Sequence, residues 1–307
     1  MSNRPPELHV VTGAFGYAGR YIARRLLSMG QRVRTLTGHP DRPSPFGSQV
    51  EVASLRLDNP AELRKALQGA AVLYNTYWVR FEYGQTTFER AIANTKTLIE
   101  AAEQAGIRRI VHLSVTNASM DSTLPYFRGK AVLEQAIRQS KLSYAILRPS
   151  VIFGIEDILI NNIAWLLRRA PFFAVPGSGD YRLQPVFVED VAELAVSASA
   201  EDDDIVVDAV GPEVYTFEAL VRLLAETVGS RARVIHAAPR LALFLANLLG
   251  YVVRDVVLTR DELEGLMANL LVSTASPTGP TRLSDWLKQN AHTVGSRYAS
   301  ELARHYR

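Results

Sequence analysis

Three glycines at regular spacing separate an apolar run from an amphipathic run near the N-terminus. The stretch VVTGAFGYAGRYIARRLL spans residues 10–27, and its glycines are Gly13, Gly16 and Gly19. Glycine permits a tight strand-to-helix turn and a close approach of the backbone to a ligand. A helix that starts after such a turn presents unpaired N–H groups and positive dipole potential, which attract a pyrophosphate. The pattern therefore predicts that this turn binds a dinucleotide.

The first half of the chain alternates short apolar runs with helix-length segments. The strands are predicted at 8–13, 32–37, 49–54, 70–76, 109–115 and 143–154, and the helices at 17–29, from Pro60, at 86–105 and at 126–138. Alternating β and α units favour a parallel sheet covered by helices on both faces. The predicted fold class is α/β, a doubly wound parallel sheet with a smaller, mainly helical C-terminal cap.

The alternation weakens after residue 154. The segment 184–196 is interpreted as a short strand and a helix, 205–211 as a late strand, and the chain from about 213 as mainly helical. We therefore expect a dinucleotide-binding core over 1–155, with a return of about 184–212 to that core. The rest of 156–307 is expected to form a substrate-binding cap.

Composition narrows the classes of partner. The net charge is only +3, which argues against a nucleic-acid partner, and the absence of cysteine excludes disulfides and thiolate metal sites. The N-terminus lacks a signal-peptide core, and no run reaches the ~18 apolar residues of a membrane span. The apolar segment 241–253 is interpreted as a buried or interfacial helix. We expect a cytoplasmic monomer or homodimer with a small-molecule substrate and no metal, and peripheral contact with a membrane stays open.

The spacing T-G-x-x-G-x-x-G at residues 12–19 resembles that of the extended and atypical short-chain dehydrogenase/reductases. The resemblance covers almost the whole chain and implies a Rossmann core that binds NADP, with NAD as the alternative. Thr37 stands where NAD-binding relatives carry an acid, and His39 and Arg42 follow it. The positions that the resemblance assigns to the cofactor are Thr12, Gly13, Ala14, Phe15, Gly16, Tyr17, Gly19, Thr37, His39, Arg42, Asp58, Asn75, Thr76, Lys130 and Pro149.

The stretch PYFRGK at 125–130 places Tyr126 and Lys130 four residues apart, on one face of a predicted helix. A nearby ammonium lowers the pKa of a phenol, so such a tyrosine can pass a proton to a carbonyl oxygen. In the family that the chain resembles, this pair supplies the proton donor, and the lysine reaches the ribose hydroxyls. Tyr126 and Lys130 are therefore the predicted catalytic residues.

The strand end HLSVTN at 112–117 departs from the family pattern. Relatives usually carry Ser or Thr at the second position of an S-S/T motif at the end of this strand, where it binds the substrate oxygen. Here Val115 takes that place, so Ser114 is the third predicted catalytic residue. His112 is interpreted as a core histidine. The short interval from Ser114 to Tyr126 resembles the atypical branch, which is similar to the accessory subunit of respiratory complex I.

Aromatic residues cluster in YNTYWVRFEY at 74–83, directly after the fourth predicted strand. The ligand edge of an open α/β sheet lies at such strand ends. The predicted substrate pocket consists of Tyr77, Trp78, Thr116 and Asn117. The sequence thus predicts an NAD(P)-dependent oxidoreductase that acts on a small carbonyl or hydroxyl compound. A non-catalytic nucleotide-binding assembly or sensor protein and a sugar-nucleotide epimerase or dehydratase remain the alternatives.

Overall fold

The computed structural model describes residues 6–305. The strands are β1 (Leu8–Thr12), β2 (Arg32–Thr37), β3 (Val50–Ser54), β4 (Ala70–Asn75), β5 (Arg109–Leu113), β6 (Ser143–Pro149), β7 (Ile152–Phe153), β8 (Phe172–Pro176), β9 (Arg182–Leu183), β10 (Val186–Phe187), β11 (Ile205–Ala209), β12 (Tyr215–Thr216) and β13 (Arg233–Ala237). The α-helices are α1 (Tyr17–Ser28), α2 (Pro60–Leu67), α3 (Phe88–Gln104), α4 (Pro125–Arg138), α5 (Leu159–Leu167), α6 (Val188–Ser199), α7 (Phe217–Thr227), α8 (Pro239–Val253), α9 (Arg260–Met267), α10 (Leu283–Asn290) and α11 (Glu301–His305).

A seven-stranded sheet in the order β11-β6-β5-β4-β1-β2-β3 organises the fold. Neighbouring strands from β6 through to β3 are all parallel. The chain builds outward from β1 to one side through β2 and β3, and then to the other side through β4, β5 and β6. The order of strands therefore reverses between β1 and β4, where open α/β sheets bind ligands. The predicted doubly wound α/β fold is confirmed.

The burial of the central strands explains why these segments pair in the middle of the sheet. Every residue of β1 and β5 is buried, as expected for parallel strands covered on both faces. The helix α1 buries one stripe, which includes Tyr21, Ile22 and Leu26. The predicted late strand near 205–211 is β11, which joins the sheet beside β6.

The chain divides into two compact units. The first runs to Pro149 and takes up Val191–Asp208, and the second comprises Ser150–Asp190 and the residues from Ala209 onward. The second unit contains α5, α7, α8, α9, α10 and α11, together with short paired strands such as β8 and β13. Its core includes Phe153, Leu183 and Trp286. Within residues 6–305, no helix has the length and hydropathy that crossing a membrane requires.

Candidate functional site

The glycine-rich turn joins β1 to α1 at the carboxyl edge of the sheet. Gly13 adopts a left-handed conformation with φ of +67°, and its N–H donates to the carbonyl of Leu36 on β2 at 2.8 Å. The N–H of Gly16 in turn donates to the carbonyl of Gly13 at 2.8 Å. A residue with a Cβ would be strained at position 13, so glycine is required there for the turn itself.

Gly16 and Gly19 keep the start of α1 close to the turn. A Cβ on Gly19 would lie 2.3 Å from the carbonyl oxygen of Gly13, and a Cβ on Gly16 would lie 3.2 Å from the same atom. Gly16 caps α1 without a side-chain hydrogen bond. No side chain of the cap residue therefore occupies the N–H groups at the start of α1. This arrangement suits a bound phosphate.

Residues on β1 and β2, and two residues directly after β4, hold the turn in place through short polar contacts. The Thr12 hydroxyl oxygen accepts from the N–H groups of Thr76 at 2.8 Å and Tyr77 at 3.1 Å. The Thr76 hydroxyl donates back to the carbonyl of Thr12. On the other side, the N–H of Ala14 donates to the Thr35 hydroxyl oxygen at 3.0 Å. Two of the predicted cofactor residues, Thr12 and Thr76, therefore fix the position of the glycine-rich turn through their hydrogen bonds to each other.

Asn75 and His112 form a buried pair at the ends of β4 and β5. The amide of Asn75 donates to Nδ1 of His112 at 3.0 Å, and its oxygen accepts from the N–H of Tyr77 at 3.1 Å. The neutral His112 ring then carries its proton on Nε2, a buried atom without a hydrogen-bond partner in the described part of the chain. Burial, reinforced by the nearby Lys130 charge, holds the pKa of His112 well below its usual value. His112 is therefore neutral and packed in the core.

The residues predicted to select between NADP and NAD follow the end of β2. Thr37 is the last residue of β2, and its hydroxyl oxygen accepts from the N–H of His39 at 3.1 Å. The side chains of His39 and Arg42 are exposed. Asp58, one of the predicted cofactor residues, is exposed and paired with Arg56 at 3.2 Å, and the hydrogen bond from Arg56 lowers the pKa of the Asp58 carboxyl.

Lys130 lies on α4, and its side chain is buried. It is only 3% exposed, and its ammonium donates to the carbonyl of Leu113 at the end of β5 at 2.7 Å. Desolvation lowers the pKa of Lys130 to about 7, although the neighbouring Glu134 carboxylate opposes this shift. A substantial fraction of Lys130 is thus uncharged at neutral pH in the nucleotide-free chain.

Trp78 covers this part of α4. Its ring lies 4.8 Å from the Lys130 nitrogen and stacks on Phe88 with ring centroids 5.8 Å apart. The Tyr126 ring meets Trp78 edge-on at 5.9 Å. A Cβ on Gly129 would approach Cη2 of the indole to 2.8 Å, which explains the glycine inside PYFRGK. Tyr126 and Lys130 therefore share an aromatic enclosure with Trp78.

Ser114 is engaged in a buried polar network. Its hydroxyl donates to Glu134 at 2.5 Å, and the guanidinium of Arg148 on β6 holds both carboxylate oxygens of Glu134. The hydrogen bond to Glu134 also raises the pKa of Arg148. Because Glu134 lies eight residues after Tyr126 on α4, this network ties the middle of the helix to β5 and β6.

The remaining predicted residues also lie near the carboxyl edge of the sheet. Val115 and Thr116 are buried, and the N–H of Thr116 donates to the carbonyl of Pro149 at 3.1 Å. Asn117 is exposed, with a φ of +56°. The Tyr77 hydroxyl oxygen accepts from the Asn94 amide at 2.9 Å. The last two predicted cofactor residues are aromatic. The Phe15 ring contacts the Phe46 ring, and the Tyr17 ring contacts the Tyr21 ring.

Comparison with known proteins bears on the identity of this site. The family described as NAD(P)H-binding matches residues 13–156, the segment that contains the glycine-rich turn, Tyr126 and Lys130. Subunit 9 of the NADH dehydrogenase [ubiquinone] 1 alpha subcomplex from Arabidopsis thaliana mitochondria is 27% identical over 283 residues, which cover 86% of this chain and 70% of the relative. Residues 13–156 therefore match the NAD(P)H-binding family, and the parallel sheet that they form is that of a Rossmann domain.

Two further proteins that the chain is similar to are named as reductases. The ceramide reductase of Caulobacter vibrioides is 29% identical over 235 residues, which cover 74% of this chain and 72% of the relative. The triphenylmethane reductase of Citrobacter sp., solved in complex with NADP(H), superposes with a TM-score of 0.72 at 19% identity. That superposition covers 92% of this chain and 99% of the reductase.

The residues present fit an NAD(P) molecule of this Rossmann family. A side chain on Gly19 would collide with the Gly13 carbonyl, and Gly13 has the left-handed conformation that the turn demands. Sequence analysis missed three residues that shape the other end of the site: Gly129, Glu134 and Arg148. The spacing of Glu134 four residues after Lys130 was a signal for Glu134, whereas Arg148 could be placed only by the approach of β6.

Proposed function

We propose that the chain holds NADP(H) as a tightly bound structural or sensing nucleotide, as an accessory or assembly subunit, and does not consume it. The single observation that carries this proposal is that the Ser114 hydroxyl already has a hydrogen-bond partner within the protein. Its hydroxyl donates to Glu134, and Val115 offers only hydrocarbon at the neighbouring position. The group that would bind a substrate carbonyl is thus committed to the protein.

The surroundings of Tyr126 support the same proposal. The Tyr126 ring contacts the rings of Trp78, Phe88 and Phe127 with centroids 5.5–6.1 Å apart. Lys130 donates to a backbone carbonyl and faces the indole ring. Both members of the pair are therefore tied to neighbouring protein groups.

The relatives are consistent with an accessory role. One is named as a subunit of the mitochondrial NADH dehydrogenase, and another, from Cyanidium caldarium, as a photosystem II assembly factor. By analogy we propose that this chain also works in a larger assembly. A cytoplasmic location and a preference for NADP over NAD remain part of the proposal, the latter resting on Thr37, His39 and Arg42.

A reductase is the second candidate, and the placement of Tyr126 and Lys130 on one face of α4 favours it. Bound NADPH would supply a hydride in that case. Tyr126 would donate the proton to the carbonyl oxygen, and Lys130 would hold the ribose and lower the pKa of the phenol. The names of the Caulobacter and Citrobacter relatives are in keeping with this candidate.

One experiment separates the two candidates. The purified chain is loaded with NADPH, freed of excess nucleotide, and mixed with long-chain ketones, quinones and aromatic dyes while absorbance reports nucleotide oxidation. The proposal expects the nucleotide to stay bound and reduced with every compound. Oxidation that falls by about 10²–10⁴-fold in Tyr126→Phe would establish the reductase and overturn the proposal.

A further inference from the structure

Helix α8 in the second unit leaves a row of large apolar side chains exposed. Leu241, Phe244, Leu248, Tyr251 and Val252 are 50%, 63%, 55%, 86% and 71% exposed, respectively. Their spacings of three, four, three and one residues place them along one face of a helix. The opposite face packs inward, where Ala242 and Gly250 are buried. An apolar strip of this length on a surface helix indicates an interaction site.

The sequence that contains this strip carries several basic residues and no acidic ones. Between Thr227 and Arg254 the sequence contains no Asp or Glu, but it contains Arg231, Arg233, Arg240 and Arg254. Arg240 and Arg254 flank the strip at the two ends of α8. The following Asp255 is turned inward, since its carboxylate accepts from the N–H groups of Glu301 and Leu302 at 2.9 Å. The acidic neighbour that the structure shows for this stretch is Glu218 of α7, which lies 3.3 Å from His236 on β13.

The strand that leads into α8, and its neighbour in the sheet, also carry exposed apolar residues and nearby arginines. β13 pairs in parallel with β8, and Phe172 on β8 and Ile235 on β13 are both about half exposed. At the start of β13, a cleft of about 550 Å³ is lined by residues that include Arg168, Arg169, Arg231 and Arg233. The segment 158–179, which supplies the first two of these arginines, is also free of acidic residues.

We propose that α8 docks this chain onto an anionic phospholipid surface. A helix with one apolar face and basic flanks lies in the plane of a bilayer, with its apolar side chains among the acyl chains and its arginines at the headgroups. The helix is too short to span the bilayer. A second copy of the chain fits less well, because α8 contains no acidic side chain that could pair with Arg240 of the other copy.

Vesicle flotation with the full chain tests this proposal. Vesicles of phosphatidylcholine mixed with phosphatidylglycerol should carry the protein upward, and vesicles of phosphatidylcholine alone should carry much less of it. Phe244→Gln combined with Tyr251→Gln should weaken binding by about tenfold or more, because both side chains would no longer insert. Arg231→Gln combined with Arg240→Gln should weaken it severalfold and flatten its dependence on salt.

The controls use exposed residues of the first unit. Met29→Gln combined with Met120→Gln replaces two apolar side chains that are about half exposed there, and vesicle binding should not change. NADPH affinity should be the same in all of these variants, so a change in vesicle binding can be distinguished from a failure of the proposed function. Binding that survives the α8 substitutions, or no binding to anionic vesicles, would overturn the proposal. A stable dimer that the α8 substitutions dissociate would also overturn it, since a second copy would then be the occupant.

Discussion

Ser114 is the residue on which the choice between holding and consuming the nucleotide depends. Its hydroxyl donates to a carboxylate that Arg148 grips with two nitrogens. The sequence alone drew attention to Ser114 and Val115, because the strand end departs from the family pattern. It could not reveal Glu134 as the partner, since that contact depends on how closely α4 approaches β5.

Ser114→Ala should act on stability and leave nucleotide affinity unchanged. The substitution removes a buried donor from Glu134, so the free energy of unfolding should fall by about 1–3 kcal/mol. Denaturant titration with and without NADPH measures both quantities. Ser197→Ala, an exposed site on α6, is the matched control and should change neither. A large loss of NADPH affinity in Ser114→Ala would show that the hydroxyl serves the nucleotide.

Lys130 should make stability depend on pH. Its pKa is about 7 in the folded chain and 10.5 for the ordinary side chain. Between these values the unfolded chain binds more protons than the folded chain, so stability should rise with pH through this window. Below about pH 7 the folded chain must carry a buried ammonium, and stability is lowest.

Lys130→Met should remove this dependence and stabilise the nucleotide-free chain at neutral pH. Denaturant titrations of both proteins from about pH 6 to about pH 9 give the comparison. The exposed Lys96→Met on α3 is the control, and it should keep the slope of the parent chain. If the slopes of Lys130→Met and the parent chain agree, the Lys130 ammonium is not desolvated as the structure indicates. NADPH affinity should fall in Lys130→Met, because the ammonium is expected to reach the ribose.

At the scale of elements, the strands and helices of the seven-stranded sheet could be predicted from the sequence to within about two residues at most boundaries. Their alternation and their buried apolar runs are local signals. The parallel pair β8–β13 could not be predicted, because each strand has five residues, is only partly buried and lies among helices. The contact of Trp78 with α4 was also beyond sequence analysis, since it joins a loop to a helix about fifty residues away.

The packing of Trp78 on α4 gives a prediction for Gly129. Alanine is favoured over glycine inside a helix by about 1 kcal/mol, yet a Cβ here would meet the indole at 2.8 Å. Gly129→Ala should therefore destabilise the chain, by about 1–3 kcal/mol. In a Trp78→Leu background, the same substitution should be neutral or stabilising. Thermal and denaturant unfolding of the parent chain, the two single variants and the double variant gives a double-mutant cycle. Equal effects of Gly129→Ala in both backgrounds would contradict the contact between Trp78 and Gly129.

At the scale of the whole molecule, nucleotide binding depends on the turn between β1 and α1. Gly16 is the position at which this can be tested without damage to the fold. Its φ is −79°, and a Cβ would meet only the Gly13 carbonyl at 3.2 Å. Gly13 and Gly19 are unsuitable, because a side chain at either would strain the turn or collide with it. Gly16→Ala supplies a graded control beside the bulkier Gly16→Leu.

The most direct measurement is calorimetric titration of NADPH and NADH into the parent chain, Gly16→Ala and Gly16→Leu. We expect one NADPH per chain, tighter binding of NADPH than of NADH, weaker binding in Gly16→Ala and none in Gly16→Leu. All three proteins should unfold at similar temperatures without nucleotide. If Gly16→Leu binds NADPH as tightly as the parent chain, or the folded parent chain binds neither nucleotide, the turn between β1 and α1 is not the nucleotide site.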